Sequence, residues 1–538
     1  MHIAMIAAEN GALIGGKVGG IGDVIRDVPV ALAGLGHKVS VLTPGYRMLA
    51  TQNPSVLLGT VTVNFCGRPE VLDVFKVEGR GAATPPARGK KSATDAGVTH
   101  YVLEHPLFGA CGAGAIYCND HYGPFATDAH KFALYCVAVC ELLRTQKLGK
   151  VDVLHLHDWH AALLAVLRRY ATAYQALRTI PVVYTIHNLS LQGVRPLSGD
   201  GSSLHSWFPE LVPELASIQD PVHWDCVNLM RAGILHADRV HVVSPSYARE
   251  ILVPTDLAHG FIGGEGLERD LQKLEMQGRL IGILNGCDYD ITPAPQRSRT
   301  QLLDLIERCL LSWVGERQQV PAAHFYAQLR LAEWRRRRRA ITVTLTSVGR
   351  ITGQKCRLLR EPVSGNGSAA TAAGALEGTA LERLLQDLGD GVLIMIGSGD
   401  EEYEHFFTSV MRRHDNFLFL RGFSEELADV LYSTGDLFLM PSSYEPCGIS
   451  QMLAMRAGTP CIVHHVGGLR DTVQHGVNGF GFSGDTPRLQ AENMLETVRQ
   501  ACATIGRPAP WQKIRRAAAA SRFSWDVAVQ RYVDELYV

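Results

Sequence analysis

Short runs of Val, Ile and Leu alternate with stretches of helical periodicity along both halves of the chain. Such runs are typical of strands buried on both faces, and the helices between them predict an α/β fold with doubly wound parallel sheets. The strands predicted in the first half are His2–Ala8, Lys38–Thr43, Thr99–Leu103, Val151–Leu156, Val182–Ile186 and Arg239–Val243. Those predicted in the second half are Thr342–Val348, Gly391–Ile396, Asn416–Leu420, Asp436–Met440 and Pro460–His464. Two such sheets facing each other would leave a crevice lined by the carboxyl ends of strands, where ligands bind.

A chain of 538 residues exceeds what one hydrophobic core normally holds, so two domains are expected. The pattern predicts a first domain over residues 1–290, a divergent helical connector over 291–340, a second domain over 341–515 and a final helix over 516–538. Two segments rich in small and polar residues cannot supply a core and are predicted to be mobile insertions: Gly79–Gly97 and Ser364–Thr379.

Composition narrows the functional class. The net charge is −1, which favours neither a nucleic-acid nor a membrane partner, and no apolar run reaches the ~20 residues that span a bilayer. The 12 cysteines form no CxxC pair and no signal peptide is evident, which predicts reduced thiols and a cytoplasmic protein. The run Arg335–Arg339 is interpreted as a solvated helix end, with an anionic partner as the alternative.

A glycine-rich turn, KVGGIGDV at residues 17–24, follows the first predicted strand. Its glycines let backbone amides approach a ligand closely, and the helix N-terminus that follows attracts anionic oxygen. Lys17 adds a positive charge on a flexible stem. Packing of a strand–helix turn explains many such segments and remains the alternative. The turn is neither GxGxxG nor a Walker-type loop, so nicotinamide and P-loop functions fit poorly.

Two further turns in the second half carry charge. Arg350 and Lys355 are five residues apart across the turn after a strand, and fixed cations there would stabilise a departing diphosphate. Glu445 lies just beyond another strand and can accept hydrogen bonds from sugar hydroxyls, while the amides of Gly448–Ser450 can hold phosphate. Surface charge and a helix N-terminal acid are the respective alternatives.

Histidines also follow several strands, as in HLHDWH at 155–160, TIHN at 185–188 and the pair His464–His465. No carboxylate or cysteine completes a recognisable ligand set, so we expect these side chains to line the crevice rather than to bind a metal. The GxSxG elbow of acyl hydrolases is missing from the sequence.

Taken in order, these motifs resemble the bacterial glycogen synthases and plant starch synthases. That family consists of retaining glucosyltransferases with two Rossmann-like domains facing across a deep cleft (the GT-B type) and a C-terminal helix that crosses back to the first domain. The similar segments are KVGGIGDV at 17–24, HDWHA at 157–161, TIHNLSLQG at 185–193, VSPSYARE at 243–250, LNGCDYD at 284–290, VGRITGQK at 348–355, MPSSYEPCGISQM at 440–452 and GGLRDTV at 467–473.

The resemblance implies transfer of glucose from ADP-glucose, or from UDP-glucose in some relatives, to the non-reducing end of an α-1,4-glucan. It implies an acceptor-side first domain, a nucleotide-sugar-binding second domain, no metal and no cofactor. Attack on the same face, assisted by the departing phosphate, would retain the anomeric configuration. The implied catalytic residues are His187, Arg350, Lys355 and Glu445. The implied substrate-binding residues are Lys17, Gly19, Gly20, Asp23, Asp158, Asn188, Asn285, Gly422, Phe423, Cys447, Gly448, Ile449 and Ser450, with Gly422 and Phe423 near the adenine.

The chain departs from the family pattern at several positions. Ala8–Ala12 replaces the usual Ser-Glu-Val-Ala-Pro, Ser443 and His464 stand where Arg is common, and Leu453 replaces a frequent Tyr. These changes leave the acceptor and the nucleobase open. The alternatives are an enzyme of the same fold with a small sugar or polyol acceptor, and a catalytically silent glycan-binding scaffold. The sequence does not fix the oligomeric state.

Overall fold

The computed structural model describes residues 1–80, 97–120, 123–315, 319–363 and 378–538, so most of the two expected insertions lies outside the described residues. The chain divides into two compact units. Unit 1 comprises residues 1–255, 263–286 and 524–538, and unit 2 comprises residues 256–262 and 287–523.

The described strands are numbered along the chain. Those of unit 1 are β1 His2–Ile6, β2 Lys38–Pro44, β3 Ser55–Phe65, β4 Arg68–Val77, β5 Val98–Glu104, β6 Val153–His157, β7 Val182–Ile186, β8 Val194–Pro196, β9 Cys226–Asn228, β10 Arg239–Val242 and β11 Leu280–Gly282. Those of unit 2 are β12 Thr344–Val348, β13 Pro362–Val363, β14 Gly378–Thr379, β15 Val392–Gly397, β16 Phe417–Arg421, β17 Leu437–Met440, β18 Cys461–His464 and β19 Gly479–Phe482.

The described α-helices are numbered in the same way. Unit 1 contains α1 Gly20–Gly34, α2 Leu49–Gln52, α3 Ala126–Arg144, α4 Trp159–Tyr170, α5 Leu204–Trp207, α6 Leu229–His236, α7 Pro245–Glu250, α8 Glu268–Met276 and, near the C-terminus, α19 Trp525–Arg531. Unit 2 contains α9 Arg299–Gly315, α10 Ala322–Arg336, α11 Gly353–Arg360, α12 Ala380–Leu388, α13 Glu401–Arg413, α14 Glu425–Thr434, α15 Ser450–Arg456, α16 Gly467–Thr472, α17 Pro487–Ile505 and α18 Pro508–Ala520.

Unit 1 is built on a nine-stranded sheet with the order β11-β10-β7-β6-β1-β2-β5-β4-β3. The strands from β11 to β5 are parallel, and β4 and β3 extend the edge as an antiparallel pair. The chain proceeds from β1 towards β5 in one direction and from β6 towards β11 in the other. The strand order therefore reverses between β1 and β6, which is where ligands bind in doubly wound sheets.

Unit 2 repeats this plan in a six-stranded parallel sheet with the order β16-β15-β12-β17-β18-β19. Here the order reverses between β12 and β17. The strands are almost wholly buried, as their near-continuous apolar sequences predict. Two doubly wound α/β units are what the sequence predicts.

Helices α9 and α10, expected as a connector, pack into the core of unit 2 through Leu302, Ile306, Leu331 and Trp334. The arginine run at the end of α10 is held by carboxylates of the same unit. Arg335 pairs with Asp304 and Glu307, and Arg337 pairs with Asp390.

The C-terminal segment packs on unit 1. Trp525, Val529 and Tyr532 join the apolar face of α1, and the indole of Trp525 donates to Asp27 at 3.0 Å. The return of the C-terminal helix to the first domain is therefore confirmed.

The structure differs from the expectation of reduced thiols at one pair. Cys111 and Cys118 form a disulfide, with their α-carbons 5.7 Å apart, because the turn between them brings the two ends together. The other ten cysteines form no disulfide. The cytoplasmic location stays a prediction.

The buried ion pair of Asp128 and Lys131 on α3 gives a first test. The two side chains are 2.7 Å apart and at most 5% exposed. Lys131→Met leaves the Asp128 carboxylate buried without its cation, so we expect the free energy of unfolding of unit 1 to fall by about 3 kcal/mol in urea titrations. The matched control is Lys273→Met on α8, which removes an i,i+3 pair whose lysine is 67% exposed and costs about 0.5 kcal/mol or less. Equal losses for the two variants would contradict the assignment.

Candidate active site

The loop between β1 and α1 lies where the strand order of unit 1 reverses. One oxygen of Glu9, a residue that is 2% exposed, accepts hydrogen bonds from the amides of Val18, Gly19 and Gly22 at 2.9, 2.6 and 3.2 Å. These amides were expected to face an anionic ligand. In the structure a carboxylate of the chain itself caps this end of α1.

The space around the loop glycines explains their identity. A β-carbon on Gly22 would lie 2.8 Å from the Lys17 side chain, and one on Gly19 would lie 3.3 Å from Glu9, whereas one on Gly20 would meet nothing within 4 Å. Lys17 itself is paired with Asp23 at 2.6 Å, and its side chain is 36% exposed. Gly20 therefore offers open backbone next to an accessible cation.

Asp158 and His187, both predicted to line the crevice, directly follow β6 and β7. An oxygen of Asp158 accepts a hydrogen bond from the amide of His187 at 2.7 Å, and the imidazoles of His157 and His187 are joined at 3.0 Å. Asp158 has a φ of 56°, a left-handed conformation that is strained for a residue with a side chain. The structure thus brings Asp158, His187 and the adjacent Asn188 together.

The carboxyl group of Asp158 is wholly enclosed. Burial raises its pKa to about 8, although the amides of His187 and Asn188 act in the opposite direction. At neutral pH the group is therefore mostly protonated and can donate a hydrogen bond as well as accept one.

A directed chain of hydrogen bonds runs beneath these strand ends. It links Tyr537 to His155, His155 to Thr185, Thr185 to His241, and His241 to the carbonyl of Ile283, at 2.8, 2.6, 3.0 and 3.2 Å. Burial lowers the pKa of both imidazoles, to about 4 for His241, so both are neutral. The carbonyl can only accept, so His241 donates to it and accepts from Thr185. His155 then donates to Thr185 and accepts from Tyr537.

Asn285 lies just after β11. Its side chain is 4% exposed, and its Oδ1 atom has no hydrogen-bond partner among the described residues. A buried acceptor without a donor is costly, so this Oδ1 atom calls for a donor that the described residues do not supply.

In unit 2 the predicted cations follow β12 and the predicted carboxylate follows β17, the two strands between which the order reverses. Lys355 forms a hydrogen-bonded ion pair with Glu445, whose side chain is 7% exposed. Arg350 is exposed and has no ion pair within the described part of the chain. Arg350, Lys355, Ser347 and the Ser442 loop line one pocket at this edge of the sheet.

Two neighbours support Glu445. The hydroxyl of Ser442 donates to the same carboxylate oxygen at 3.1 Å, and the carbonyl of Ser442 accepts from Nδ1 of His464 at 2.9 Å. Burial lowers the pKa of His464 to about 4, so it is a neutral ring, and it stacks on Phe482. Arg is common at position 464 in the family. In this chain a neutral imidazole stands there and holds the Ser442 carbonyl.

The segment after Glu445 packs backbone to backbone against α16. A β-carbon on Gly467 would lie 1.9 Å from the carbonyl oxygen of Glu445, and one on Gly468 would lie 2.3 Å from that of Cys447. Gly448 has a φ of 73°, which favours glycine. These glycines fix the turn that leads through Ile449 to Ser450, whose hydroxyl bonds Tyr432 at 3.2 Å.

Gly422 and Phe423 follow β16. Trp313 of α9 covers Gly422 so closely that a β-carbon there would lie 2.8 Å from the indole, and its ring nitrogen donates to the carbonyl of Phe423 at 3.2 Å. The Phe423 side chain is left 62% exposed. Helix α9 thus shapes this loop and leaves an aromatic face open.

The sequence predicted the charged residues that follow the strands. It did not reveal the residues that support them: Glu9, Tyr117, Trp313 and Ser442. An acid directly after a buried strand was a usable signal for Glu9. Ser442 lies within MPSSYEPCGISQM at 440–452, a segment that resembles the family. Tyr117 and Trp313 gave no local signal.

The chain matches known families over both units. Residues 2–273 match the starch synthase catalytic domain, and residues 377–500 match glycosyl transferases group 1. Glycogen synthases from Koribacter versatilis and Streptococcus equi subsp. equi are each 31% identical to the chain over 99% of its length, covering 97% and 99% of their own. The glycogen synthase of Streptococcus sanguinis is 32% identical, with 99% of both chains covered. The chain belongs to the glycogen and starch synthase family. It is accordingly a retaining glycosyltransferase.

Solved structures agree with this family on the fold. The catalytic domain of starch synthase IV from Arabidopsis thaliana, bound to ADP and acarbose, superposes with a TM-score of 0.74 at 24% identity, covering 100% of this chain and 98% of that one. Sucrose-phosphate synthase from Thermosynechococcus elongatus gives a TM-score of 0.51 at 15% identity, covering 99% and 97%. Within the described residues, no helix has the length and apolarity needed to cross a membrane.

The buried histidines of this glycogen synthase homologue predict a pH dependence of stability. Burial lowers the pKa of His155, His157, His187 and His241, so each stays neutral in the folded chain while the unfolded chain gains protons below about pH 6.5. Stability is thus full above pH 6.5 and falls towards about pH 4, by about 1.4 kcal/mol per pH unit for each site.

We expect His155→Gln to reduce this slope by the contribution of one site, about 1.4 kcal/mol per pH unit. The slope is measured from urea titrations of unit 1 between pH 7 and 5. His205→Gln, at an exposed position of the same unit, is the control and leaves the slope unchanged. An unaltered slope in His155→Gln would show that His155 is charged in the folded state.

Proposed function

We propose that the chain transfers glucose from ADP-glucose to the non-reducing end of an α-1,4-glucan with retention of configuration. The observation that carries this proposal is the meeting of Arg350, Lys355 and Glu445 where the strand order of unit 2 reverses. The ADP in the starch synthase IV structure supports ADP-glucose over UDP-glucose as the donor.

The two cations serve the leaving group. Negative charge grows on the diphosphate as its bond to the glucose C1 breaks, and fixed cations stabilise that charge more in the transition state than in the ground state. Arg350 is available for this role because it is exposed and has no ion pair among the described residues. Lys355 is held next to Glu445, so it is already oriented towards the same pocket.

Glu445 then holds the transferred glucose, because a carboxylate accepts hydrogen bonds from sugar hydroxyls. The turn from Cys447 through Gly448 and Ile449 to Ser450 lies beside it and serves the phosphates and the sugar. The exposed ring of Phe423, next to Gly422, offers a face on which the adenine stacks.

In unit 1, Lys17 and Gly20 serve the donor, Gly19 shapes the loop through its bond to Glu9, and Asp23 orients Lys17. Asp158, His187 and Asn188 serve the glucose and the acceptor, because a protonated carboxyl and a neutral imidazole can each donate and accept a hydrogen bond. The unpartnered Oδ1 of Asn285 is a further acceptor for a substrate hydroxyl. That Lys17 and Arg350 reach the same donor molecule stays a prediction.

The reaction needs no protein nucleophile. The bond from C1 to the diphosphate oxygen breaks, the acceptor hydroxyl attacks C1 on the same face, and its proton passes to the departing phosphate oxygen. The residues of the chain position the two substrates and exclude water from the activated glucosyl group.

Substitutions in unit 2 test the leaving-group role. We expect Arg350→Ala and Lys355→Ala each to lower kcat by about 10²-fold or more, since each removes charge stabilisation in the transition state. Glu445→Gln lowers kcat while the chain stays folded. The control is Arg357→Ala on the same helix as Lys355, which loses only an ion pair with Glu361. Near-normal turnover in both cation variants would refute the leaving-group role of Arg350 and Lys355.

A donor and acceptor assay tests the function itself. Radiolabelled ADP-glucose and UDP-glucose are each offered with glycogen, and with small sugars or polyols. We expect label from ADP-glucose to enter glycogen. Label found only in small products would favour the enzyme with a small acceptor, and tight glycogen binding without turnover would favour the silent scaffold.

A further inference from the structure

Glu9 precedes the glycine-rich loop in the chain, and its carboxylate accepts four hydrogen bonds. Its Oε2 atom accepts three backbone hydrogen bonds, and its Oε1 atom accepts one from the hydroxyl of Tyr117 at 2.8 Å. The residue lies three positions beyond the end of β1 and is 2% exposed. Loop residues 18–22 are thereby tied to the buried segment that follows β1.

The bonds to Glu9 change what the loop can offer a ligand. The amides of Val18, Gly19 and Gly22 are already satisfied by the carboxylate, so they are not the groups that bind phosphate. A second anion near those amides would meet the charge of Glu9. What the loop presents instead is the side chain of Lys17 and the open backbone at Gly20.

Tyr117 is in turn held from the side by α3. Lys131 donates to the carbonyl of Ile116 at 2.6 Å, and Asp128 accepts from the amide of Cys118 at 3.1 Å. The residues on both sides of Tyr117 are therefore anchored by one buried ion pair, in addition to the Cys111–Cys118 disulfide. Burial raises the pKa of Tyr117 well above its ordinary value, so its hydroxyl stays protonated and remains a donor.

We propose that Glu9 and Tyr117 are positioning residues that hold the glycine-rich loop in the shape in which Lys17 and Gly20 meet the donor. The assignment rests on the proposed function, since it takes the loop to be part of the donor site. Neither residue touches the substrate in this proposal. Glu9 fixes the backbone, and Tyr117 fixes the rotamer of Glu9 by occupying its second oxygen.

This role depends on acceptor geometry and not on negative charge. A glutamine at position 9 can direct its carbonyl oxygen towards the three amides and its NH₂ group towards the oxygen of Tyr117, so every contact is preserved in neutral form. A leucine has a similar size but no acceptor, and it leaves three amides without their partner. The pair Glu9→Gln and Glu9→Leu therefore separates geometry from charge.

The test combines hydrogen exchange of the ligand-free chain with steady-state kinetics. In peptides that span residues 10–25, we expect exchange of the loop amides to rise by at least tenfold in Glu9→Leu and to change by less than threefold in Glu9→Gln. We expect kcat with ADP-glucose to fall by about 10²-fold in Glu9→Leu, since a misplacement of about 1 Å has that effect, and by less than threefold in Glu9→Gln. The KM for glycogen stays within twofold in both variants.

Tyr117→Phe keeps the ring and removes only the hydroxyl, so it gives a result even where Glu9→Leu fails to fold. We expect it to raise loop exchange and to lower kcat by about fivefold, in line with the loss of one hydrogen bond. The matched control is Glu104→Leu, on β5 two strands away from β1. It removes a carboxylate that accepts a single amide bond, from Arg47, and leaves loop exchange unchanged.

Unchanged loop exchange in Glu9→Leu and Tyr117→Phe would overturn the proposal, and so would raised exchange with normal turnover. An equal loss of kcat in Glu9→Gln and Glu9→Leu would show that charge is what matters, and would also overturn it. A wild-type chain that turns over neither nucleotide sugar refutes the proposed function instead. In that case the exchange arm alone decides whether Glu9 holds the loop.

Discussion

Both units depend on the same constraint, the reversal of strand order inside a parallel sheet. Helices that leave neighbouring strands there run to opposite faces, so the strand ends between them stay uncovered by helices. In each unit a buried carboxylate lies at that point, Glu9 after β1 and Glu445 after β17, and these residues are 2% and 5% exposed. A buried carboxylate must be paired or hydrogen-bonded, and this requirement organises the loops around it.

The positions of the central strands along the chain could be predicted more fully than those of the edge strands. Each of the eleven strands predicted from apolar runs is present, with ends shifted by two residues or less. The antiparallel pair of β3 and β4 was not predicted. Val56, Leu57 and Leu58 on β3 are more than half exposed, so the first half of the strand lacks the continuous burial of a central strand, and only residues 61–65 alternate between buried and exposed. Strand β19 reads Gly-Phe-Gly-Phe, too short and too rich in glycine to be recognised from its pattern.

The site could be predicted as far as strand ends alone determine it. Charged and histidine residues in the turns after buried strands gave the candidates Arg350, Lys355, Glu445, Asp158 and His187. The sheet topology brings these turns to the reversal points of their own units or to the neighbouring strand end. What the sequence could not supply are partners distant along the chain. Tyr117 meets Glu9 across 108 positions, and Trp313 meets Phe423 across 110. Such pairs follow from packing, for which a single sequence has no local signal.

The two carboxylates differ in their partners, and the difference fits the two tasks. Glu9 is satisfied by neutral donors, namely amides and a phenol, which belong to the fold and do not leave. Glu445 is satisfied by Lys355 and Ser442, and Lys355 carries a charge that a diphosphate attracts as strongly as a carboxylate does. Under the proposed function, a donor gives Lys355 new oxygens and gives Glu445 sugar hydroxyls in return. Under that function, the carboxylate of unit 1 fixes a shape, whereas that of unit 2 would exchange partners when the substrate arrives.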